Sequence, residues 1–345
     1  MKAIPSEERQ RLGARLETLS QDRVMAGIPQ FFEAEIHNIA PAPGEAPRTL
    51  DALVFNMERG VHLREIGDYL ETCPDARPFD VILANELDDG CVRSGQRDTT
   101  LELAGRLGMN CAFGLEFIEL VNPLDEKGYH GNAIFSRFPI LRAECVRLPE
   151  QYNWYFDRQR RIGGRLAVLA ELDLGDRRVG AGTIHLENRT DGPGRQAQLE
   201  AVLEAAERMF PGDMPVILGG DLNTNTFDGR DKAAIQAIAG DAALQRRCLE
   251  DVADWEGCLP AALARGYRAV PGDAVPTRRK PLPWGGFLGL RLDWLLVRGL
   301  AEIEGHIAST RREDCGFARP GSALEAFEGE ELSDHNAVWS RLAFE

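Results

Sequence analysis

The sequence predicts an α/β fold, and three observations predict it. Short apolar runs end abruptly in polar side chains, as strands buried on both faces do. Between them lie stretches with apolar residues at helical spacing. Two alternating segments flank a tight Gly-Asp turn, which reads as a hairpin. The 345 residues are ample for a real core. They divide into an N-terminal helical extension with a Pro-rich linker, 1–48, and a main domain, 49–345.

Residues 6–20 read as a helix, with Ser6 able to cap it, Glu7 and Glu8 at its positive end, and Leu12, Leu16 and Leu19 as a stripe. PAPGEAP, 41–47, is a linker or strap. Leu53, Val54 and Phe55 form a strand ending at Asn56 and Glu58, and Leu63, Ile66 and Leu70 share a helical face after it. Val81, Ile82 and Leu83 form a second strand, ending at Asn85 and Glu86. A helix is expected near 98–108, then a strand over 111–121 and another stopped by Pro139.

The segment 151–165 carries Trp154, Tyr155 and Phe156, then Arg158, Arg160, Arg161 and Arg165, and aromatics beside arginines suit a base, a sugar or a phosphate. Packing of those aromatics on the core is the alternative. Leu166, Val168, Ala170, Leu172 and Leu174 alternate along a half-buried strand; Gly175 and Asp176 turn the chain into a partner strand ending at His185. A helix from about Gly194 carries a core face of Leu199, Val202, Leu203, Ala206, Met209 and Phe210.

Residues 214–226 are the stretch around which the rest is organised. Val216, Ile217 and Leu218 run into Gly219 and Gly220, and then come Asp221, Asn223, Thr224 and Asn225. A buried strand here delivers an acid and an amide at its C-terminal tip, where ligand sites in α/β sheets lie. The glycines let the chain turn and a ligand come close. Residues 228–266 read as helices with loops, and 270–290, with Arg278, Arg279, Lys280, Trp284 and Phe287, as a long irregular loop. A strand carries Asp293, and Ser333, Asp334 and His335 precede a last strand with Ala337 and Trp339.

The formal charge of −15 opposes nonspecific attraction to a polyanion, although Arg can be concentrated locally. No apolar run has the length of a membrane helix, and the charged N-terminus lacks the apolar core of a secretory signal. Seven cysteines, odd in number and without zinc-site spacing, read as reduced thiols of a cytoplasmic protein.

Strand-end acids, an Asp and Asn pair and a Ser-Asp-His turn suit metal-assisted phosphate ester hydrolysis. Mg²⁺ takes carboxylate and amide oxygens, and in-line attack on phosphorus needs a base for water and donors for the developing charge. In order, VFNME, ILANE, GNAIFSRFP, TIHLEN, GGDLNTN, RLDWLLV and LSDHNAV resemble the endonuclease/exonuclease/phosphatase (DNase I-like) superfamily over about residues 50–345.

The resemblance implies a four-layer α/β sandwich, two face-to-face mixed β-sheets flanked by helices. It implies Mg²⁺, with Mn²⁺ as a substitute. Glu86 is then the main metal ligand, Asp334 approaches the metal directly or through water, and Asn56 positions metal or phosphate. His185 hydrogen-bonds the scissile phosphate, Asp221 activates water, and Asn223 orients nucleophile and phosphate. Asp293 keeps His335 protonated to stabilise the transition state. Arg161 and Arg165 are candidate phosphate contacts. Asn85 stands where many relatives have Gln. His185 sets the chain apart from the abasic-site endonuclease branch. The remaining histidines, His37, His62, His130 and His306, lie in no motif and read as structural or exposed.

The expected substrate is a phosphodiester or phosphomonoester, with no membrane insertion and no protein partner implied. A nuclease acting on nucleic acid is the alternative, and a lipid phosphodiesterase using Trp284 and Phe287 or a silent binding protein stands behind it.

Overall fold

A computed structural model describes residues 1–41, 44, 46–73, 79–224, 232–314 and 320–345. Part of the 41–47 linker, Asn225 and Cys315 lie outside the described residues. In the strand Thr49–Arg59, alternate side chains go to different interfaces, as a period of two requires. Ala52 and Val54 pack against a second sheet, while Leu53, Phe55 and Met57 join a cluster with Leu63, Ile66 and Leu70 of the helix Leu63–Thr72.

The same sorting on the other side builds four layers. Val168, Ala170, Ala181, Ile217 and Leu295 meet the first sheet. Leu169, Ile184, Val216 and Leu218 turn outward onto Leu199, Val202, Leu203 and Ala206 of the helix Gly192–Met209. Two mixed sheets thus lie face to face with helices outside.

The first sheet runs Glu35–His37, Asn110–Glu119, Tyr129–Ser136, Val81–Asp89, Thr49–Arg59, Ala337–Phe344, Leu300–Ala308, with Arg161–Gly163 also paired to Asn110–Glu119. The second runs Arg268–Val270, Asp293–Arg298, Val216–Asp221, Arg178–His185, Leu166–Asp173, Ile140–Arg147. Register decides what meets at the strand tips. Val216–Asp221 is parallel to Arg178–His185 and antiparallel to Asp293–Arg298, so His185, Asp221 and Asp293 fall in one row. On the first sheet Asn56 pairs in register with Asn85.

Gly219 and Gly220 let the two sheets approach at this end. A Cβ on Gly219 would lie 2.6 Å from Val54 Cγ2, and one on Gly220, at φ +142°, would lie 2.9 Å from Asn85 Oδ1 of the first sheet and collide with the Ile184 carbonyl oxygen of the adjacent strand.

Three expectations are corrected. The helix over 6–20 is instead Ser6–Ala14, a 3₁₀ turn Arg15–Glu17 and a second helix Gln21–Met25. Ser6 does not cap it; Pro5 holds that position, and no side chain caps the first turn. The 270–290 segment is not an irregular loop throughout. Arg278–Pro281 and Phe287–Leu290 pair as a hairpin, because Leu288 and Leu290 bury against Ile235, Ile238 and Cys248 and the Arg279 guanidinium lies 4.1 Å over the Phe287 ring.

The first 48 residues share the core. Glu35–His37 extends the first sheet, and Leu12, Leu16, Val24, Met25, Ile28 and Phe31 are buried in its outer cluster. Among the described residues no helix is long and apolar enough to cross a membrane.

Candidate active site

Asp221 stands at the centre of the strand tips. Its Oδ1 accepts the Asn223 backbone N–H at 2.9 Å, and its Oδ2 accepts from Asn56 Nδ2 at 3.2 Å. The same Oδ2 lies 3.6 Å from His185 Nε2 and 3.8 Å from His335 Nε2. All four groups are buried. Asn223, at φ +48°, donates from Nδ2 to the Leu186 carbonyl at 2.9 Å, so it braces the turn after the Asp221 strand. Asn tolerates that left-handed backbone better than most residues.

Each histidine is held from behind by a carboxylate. His335 Nδ1 lies 2.8 Å from Asp293 Oδ2, and Ser333 Oγ accepts the His335 backbone N–H at 3.1 Å while donating to the Asn56 carbonyl at 2.6 Å. Burial alone would lower the imidazole's pKa; the Asp293 and Asp221 carboxylates outweigh it and push it up to about 10. His335 is therefore an imidazolium across neutral pH.

His185 Nδ1 lies 3.0 Å from Glu116 Oε2. Burial raises the Glu116 carboxyl, but His185 and Arg165 outweigh it and hold the group far below the usual carboxylate range. Sequence reading missed Glu116. Its signal was an acid in the middle of the apolar strand Asn110–Glu119, whose residues are all buried.

Arg161 and Arg165 sit behind this dyad. Arg165 donates to Glu116 at 3.0 Å, lies 3.4 Å from Glu187, and touches His185 Nε2 at 2.9 Å. These partners occupy its donors. Arg161 is sandwiched between the Phe117 and Trp154 rings, at 3.7 and 3.9 Å, with Glu119 at 3.7 Å and its buried Nε without a hydrogen-bond partner. Trp154 and Tyr155 are thus core residues, whereas Phe156 is exposed beside Arg158 and Arg160.

Asn85 ties the two sheets together at the site. Its Oδ1 accepts the Asp221 backbone N–H at 2.8 Å, and its Nδ2 lies 3.1 Å from the Ile184 carbonyl, 3.2 Å from Thr183 Oγ1 and 3.1 Å from Asn132 Oδ1. Glu86 follows at φ +56°, and Glu58 and Arg59 are left-handed as well, at +44° and +67°. Such backbone costs roughly 1–3 kcal/mol at each non-glycine residue and collects at functional sites.

Carboxylates crowd this corner. The nearest cation to Glu86 is Arg59, at 4.0 Å. Burial raises the Glu86 carboxyl, while Arg59, His130, His185 and His335 outweigh it and hold it well below its usual range. Burial and the neighbouring Asp334 raise the Glu58 carboxyl. Glu58 Oε2 accepts the Asp334 backbone N–H at 3.1 Å. His130, read as structural or exposed, is buried with its Nδ1 2.9 Å from Asp88 Oδ1, close enough to Glu86 to affect its charge.

Arg278 enters from the hairpin. Its Nη1 lies 2.7 Å from Asp334 Oδ2 and 3.0 Å from His335 Nε2. Two cationic donors therefore converge on one spot, an arrangement that suits an anionic oxygen.

Asn56, Glu86 and Asp334 lie around Glu58 and carry oxygen donors, the kind that a hard divalent cation takes. Asn56 Oδ1 accepts the Glu58 N–H at 3.1 Å and keeps a second lone pair. Among the described residues, the acidic and imidazole groups whose ligand atoms lie within 4.8 Å of one another are Asp221, Asp293 and His335. That second group is a poorer metal site, because an imidazolium has no free lone pair.

The fold and sequence have relatives. Residues 53–335 match the profile of the Endonuclease/Exonuclease/phosphatase family. Among solved structures, an endonuclease/exonuclease/phosphatase from Beutenbergia cavernae superposes with a TM-score of 0.53 at 20% identity, over 86% of this chain and 72% of that one. The human Nocturnin catalytic domain superposes with a TM-score of 0.52 at 15% identity, over 92% and 98%. A Bacteroides vulgatus member gives 0.52 at 12% identity, over 87% and 100%. At such identities these likenesses show the fold alone. No curated protein matches the sequence. The match over residues 53–335 identifies the chain as a member of the Endonuclease/Exonuclease/phosphatase family, whose members are phosphoric ester hydrolases.

Proposed function

We propose that the protein is a Mg²⁺-dependent phosphoesterase that hydrolyses a small phosphodiester or phosphomonoester by in-line attack of water. The observation that carries this reading is the convergence on Asp221 Oδ2 of Asn56 Nδ2 at 3.2 Å, His185 Nε2 at 3.6 Å and His335 Nε2 at 3.8 Å.

In this reading Asp221 takes a proton from the attacking water, and Asn223 holds the turn that aims it. The His335 imidazolium and Arg278 place two donors on a phosphate oxygen, where charge grows as the bond to the leaving group breaks. His185, backed by Glu116, hydrogen-bonds a second phosphate oxygen. Arg161 is a candidate phosphate contact, and Arg165 positions His185. Glu86, Asp334 and Asn56 would hold the cation, with Mn²⁺ able to replace Mg²⁺. When bound, the cation polarises the phosphate and offsets its charge.

A nuclease is the second reading, favoured by the exposed Phe156, Arg158 and Arg160 in the segment that also carries Arg161 and Arg165. Hydrolysis of bis-p-nitrophenyl phosphate, p-nitrophenyl phosphate and single-stranded and duplex oligonucleotides, with Mg²⁺ and with EDTA, separates the two. The proposal expects EDTA-sensitive cleavage of the small esters and a loss of about 10²–10⁴-fold in Asp221→Asn with the fold intact. Retained activity in that variant would sink the assignment of the base.

A further inference from the structure

A cavity opens beside the catalytic centre. It has a volume of about 310 Å³ and is lined by Asn188, Arg189, Asn223, Arg278, Lys280, Leu290 and Leu292. Asn223 and Arg278 belong to the catalytic corner as well, so the two spaces are continuous. Three of the lining side chains are cationic, and among the described residues no acidic side chain lines the cavity. In a chain of net charge −15 this is a local inversion of sign.

Strand geometry arranges the cations. In Arg278–Pro281, residues two apart share a face, so Arg278 and Lys280 both turn to the cavity and Arg279 turns to the opposite face over Phe287. Arg278 reaches the catalytic His335 at 3.0 Å. Lys280 lies two residues further along, roughly 7 Å away at strand rise. Arg189 closes the other wall, with Asp157 at 3.7 Å and the Trp154 ring at 5.8 Å behind it; its buried Nε has no hydrogen-bond partner. Leu290 and Leu292 are buried and give the cavity an apolar floor. Low-dielectric walls strengthen the field of the cations above them.

We propose that this cavity is a subsite for a second phosphate of the substrate, held by Lys280 and Arg189 while Arg278 bridges to the phosphate that is cleaved. The inference rests on the phosphoesterase reading and deepens it. The substrate is then a small bisphosphorylated ester whose two phosphates are separated by a spacer about the size of a sugar. A phosphate directly joined to the first one is too close to reach Lys280. One charge-assisted bond to the second phosphate corresponds to about tenfold or more in affinity.

The test is calorimetry in EDTA on the full chain. The ligands are thymidine 5′-monophosphate, thymidine 3′,5′-bisphosphate, inorganic pyrophosphate and trithymidylate with a 5′-phosphate. The expected result is that the bisphosphate binds about tenfold or more tighter than the monophosphate, and pyrophosphate does not. Lys280→Ala and Arg189→Gln should each reduce that preference to about threefold or less. Arg279→Ala removes the same charge from the other face of the hairpin and should leave the preference within about twofold. A melting curve for each variant reports folding.

Equal affinity for mono- and bisphosphate, no detectable bisphosphate binding at millimolar concentration, or a preference that survives both cavity variants overturns the subsite. Trithymidylate binding another tenfold tighter than the bisphosphate also overturns it, because the cations would then track a strand. Binding is read without metal and without turnover. If the hydrolysis panel shows no cleavage while the bisphosphate preference holds, the phosphoesterase reading fails and the anion subsite stands.

Discussion

Glu116 lies 3.0 Å from His185 and completes a second carboxylate–imidazole pair, facing the Asp293–His335 pair across Asp221. Each pair bridges the two sheets, Glu116 and the chain just after His335 belonging to the first and His185 and Asp293 to the second, and the pairs differ in what surrounds them. Asp293 has its Oδ1 without a partner, whereas Glu116 is also gripped by Arg165 and Asn132.

Glu116→Gln tests whether that grip matters for turnover. The amide keeps an oxygen for His185 Nδ1 but removes the charge that balances Arg165. Breaking a buried pair in this way is expected to cost about 3 kcal/mol of stability, since Glu187 remains for Arg165 but only at 3.4 Å. His185 loses its orientation, and kcat should fall about 10²-fold with a smaller change in KM. Steady-state kinetics together with urea denaturation check both; an unchanged kcat would make Glu116 purely structural.

Asn85 offers a sharper stability prediction. Asn85→Ala strands the buried Asp221 N–H, and the Ile184 carbonyl and Asn132 lose a donor. The expected loss is about 3 kcal/mol, from the desolvation of groups left unpaired. Asn85→Asp is nearly isosteric and should be at least as damaging, because it turns a carboxylate oxygen toward the acceptors now facing Nδ2. Urea midpoints decide the matter: an Asn85→Asp variant as stable as the wild type would mean that the hydrogen-bond directions are wrong.

Glu86→Gln separates metal binding from folding. Glu86 and Asp334 both raise the cost of charge on Glu58. Because Arg59, His130, His185 and His335 hold the Glu86 carboxyl below its usual range, removing its charge should lower the metal-free melting temperature. Wild-type protein should gain a few degrees in millimolar Mn²⁺ or Mg²⁺, by mass action on the folded state, and the variant should not. Equal metal-induced shifts in both proteins would remove Glu86 from the ligand set.

What the sequence made legible is what sits next to itself in the chain. Asp221 and Asn223 share a turn, Asp334 and His335 are neighbours, and Asn85 and Glu86 end one apolar run; a local motif carries each. The Asp221–His185–Asp293 row followed only because all three strands end at the same level. Glu116 and Asn132 were invisible because their partners arrive across the sheet from distant strands. The hairpin at 278–290 was misread because its Pro and Gly residues mark a loop, while its pairing depends on Leu288 and Leu290 finding Ile235 and Ile238. The helical part of the extension was overdrawn because a leucine stripe continues past the end of Ser6–Ala14. Charge was a poor guide as well: a net −15 hides the Arg189, Arg278 and Lys280 cavity.

Asp68 gives a pH dependence away from the catalytic groups. It sits in Leu63–Thr72, accepts from Arg106 Nη2 of the helix Thr99–Leu107, and takes the Leu324 backbone N–H at 2.9 Å. Burial raises its carboxyl, but the Arg106 and Leu324 hydrogen bonds outweigh that and lower it below its usual value. A carboxyl depressed in the folded state stabilises the fold above its unfolded pKa, near 3.9, and that contribution is lost as pH falls through the folded pKa. Asp68→Asn should therefore be less stable than wild type by about 1 kcal/mol at pH 7, a modest figure because Arg106 is partly solvated. The gap should be unchanged at pH 5 and should close as the pH drops below about 4. Urea denaturation of both proteins at pH 7, 5 and 3.5 reads this directly. A gap that persists undiminished in acid would show that Asp68 acts through its shape and its bond to Leu324 rather than through its charge.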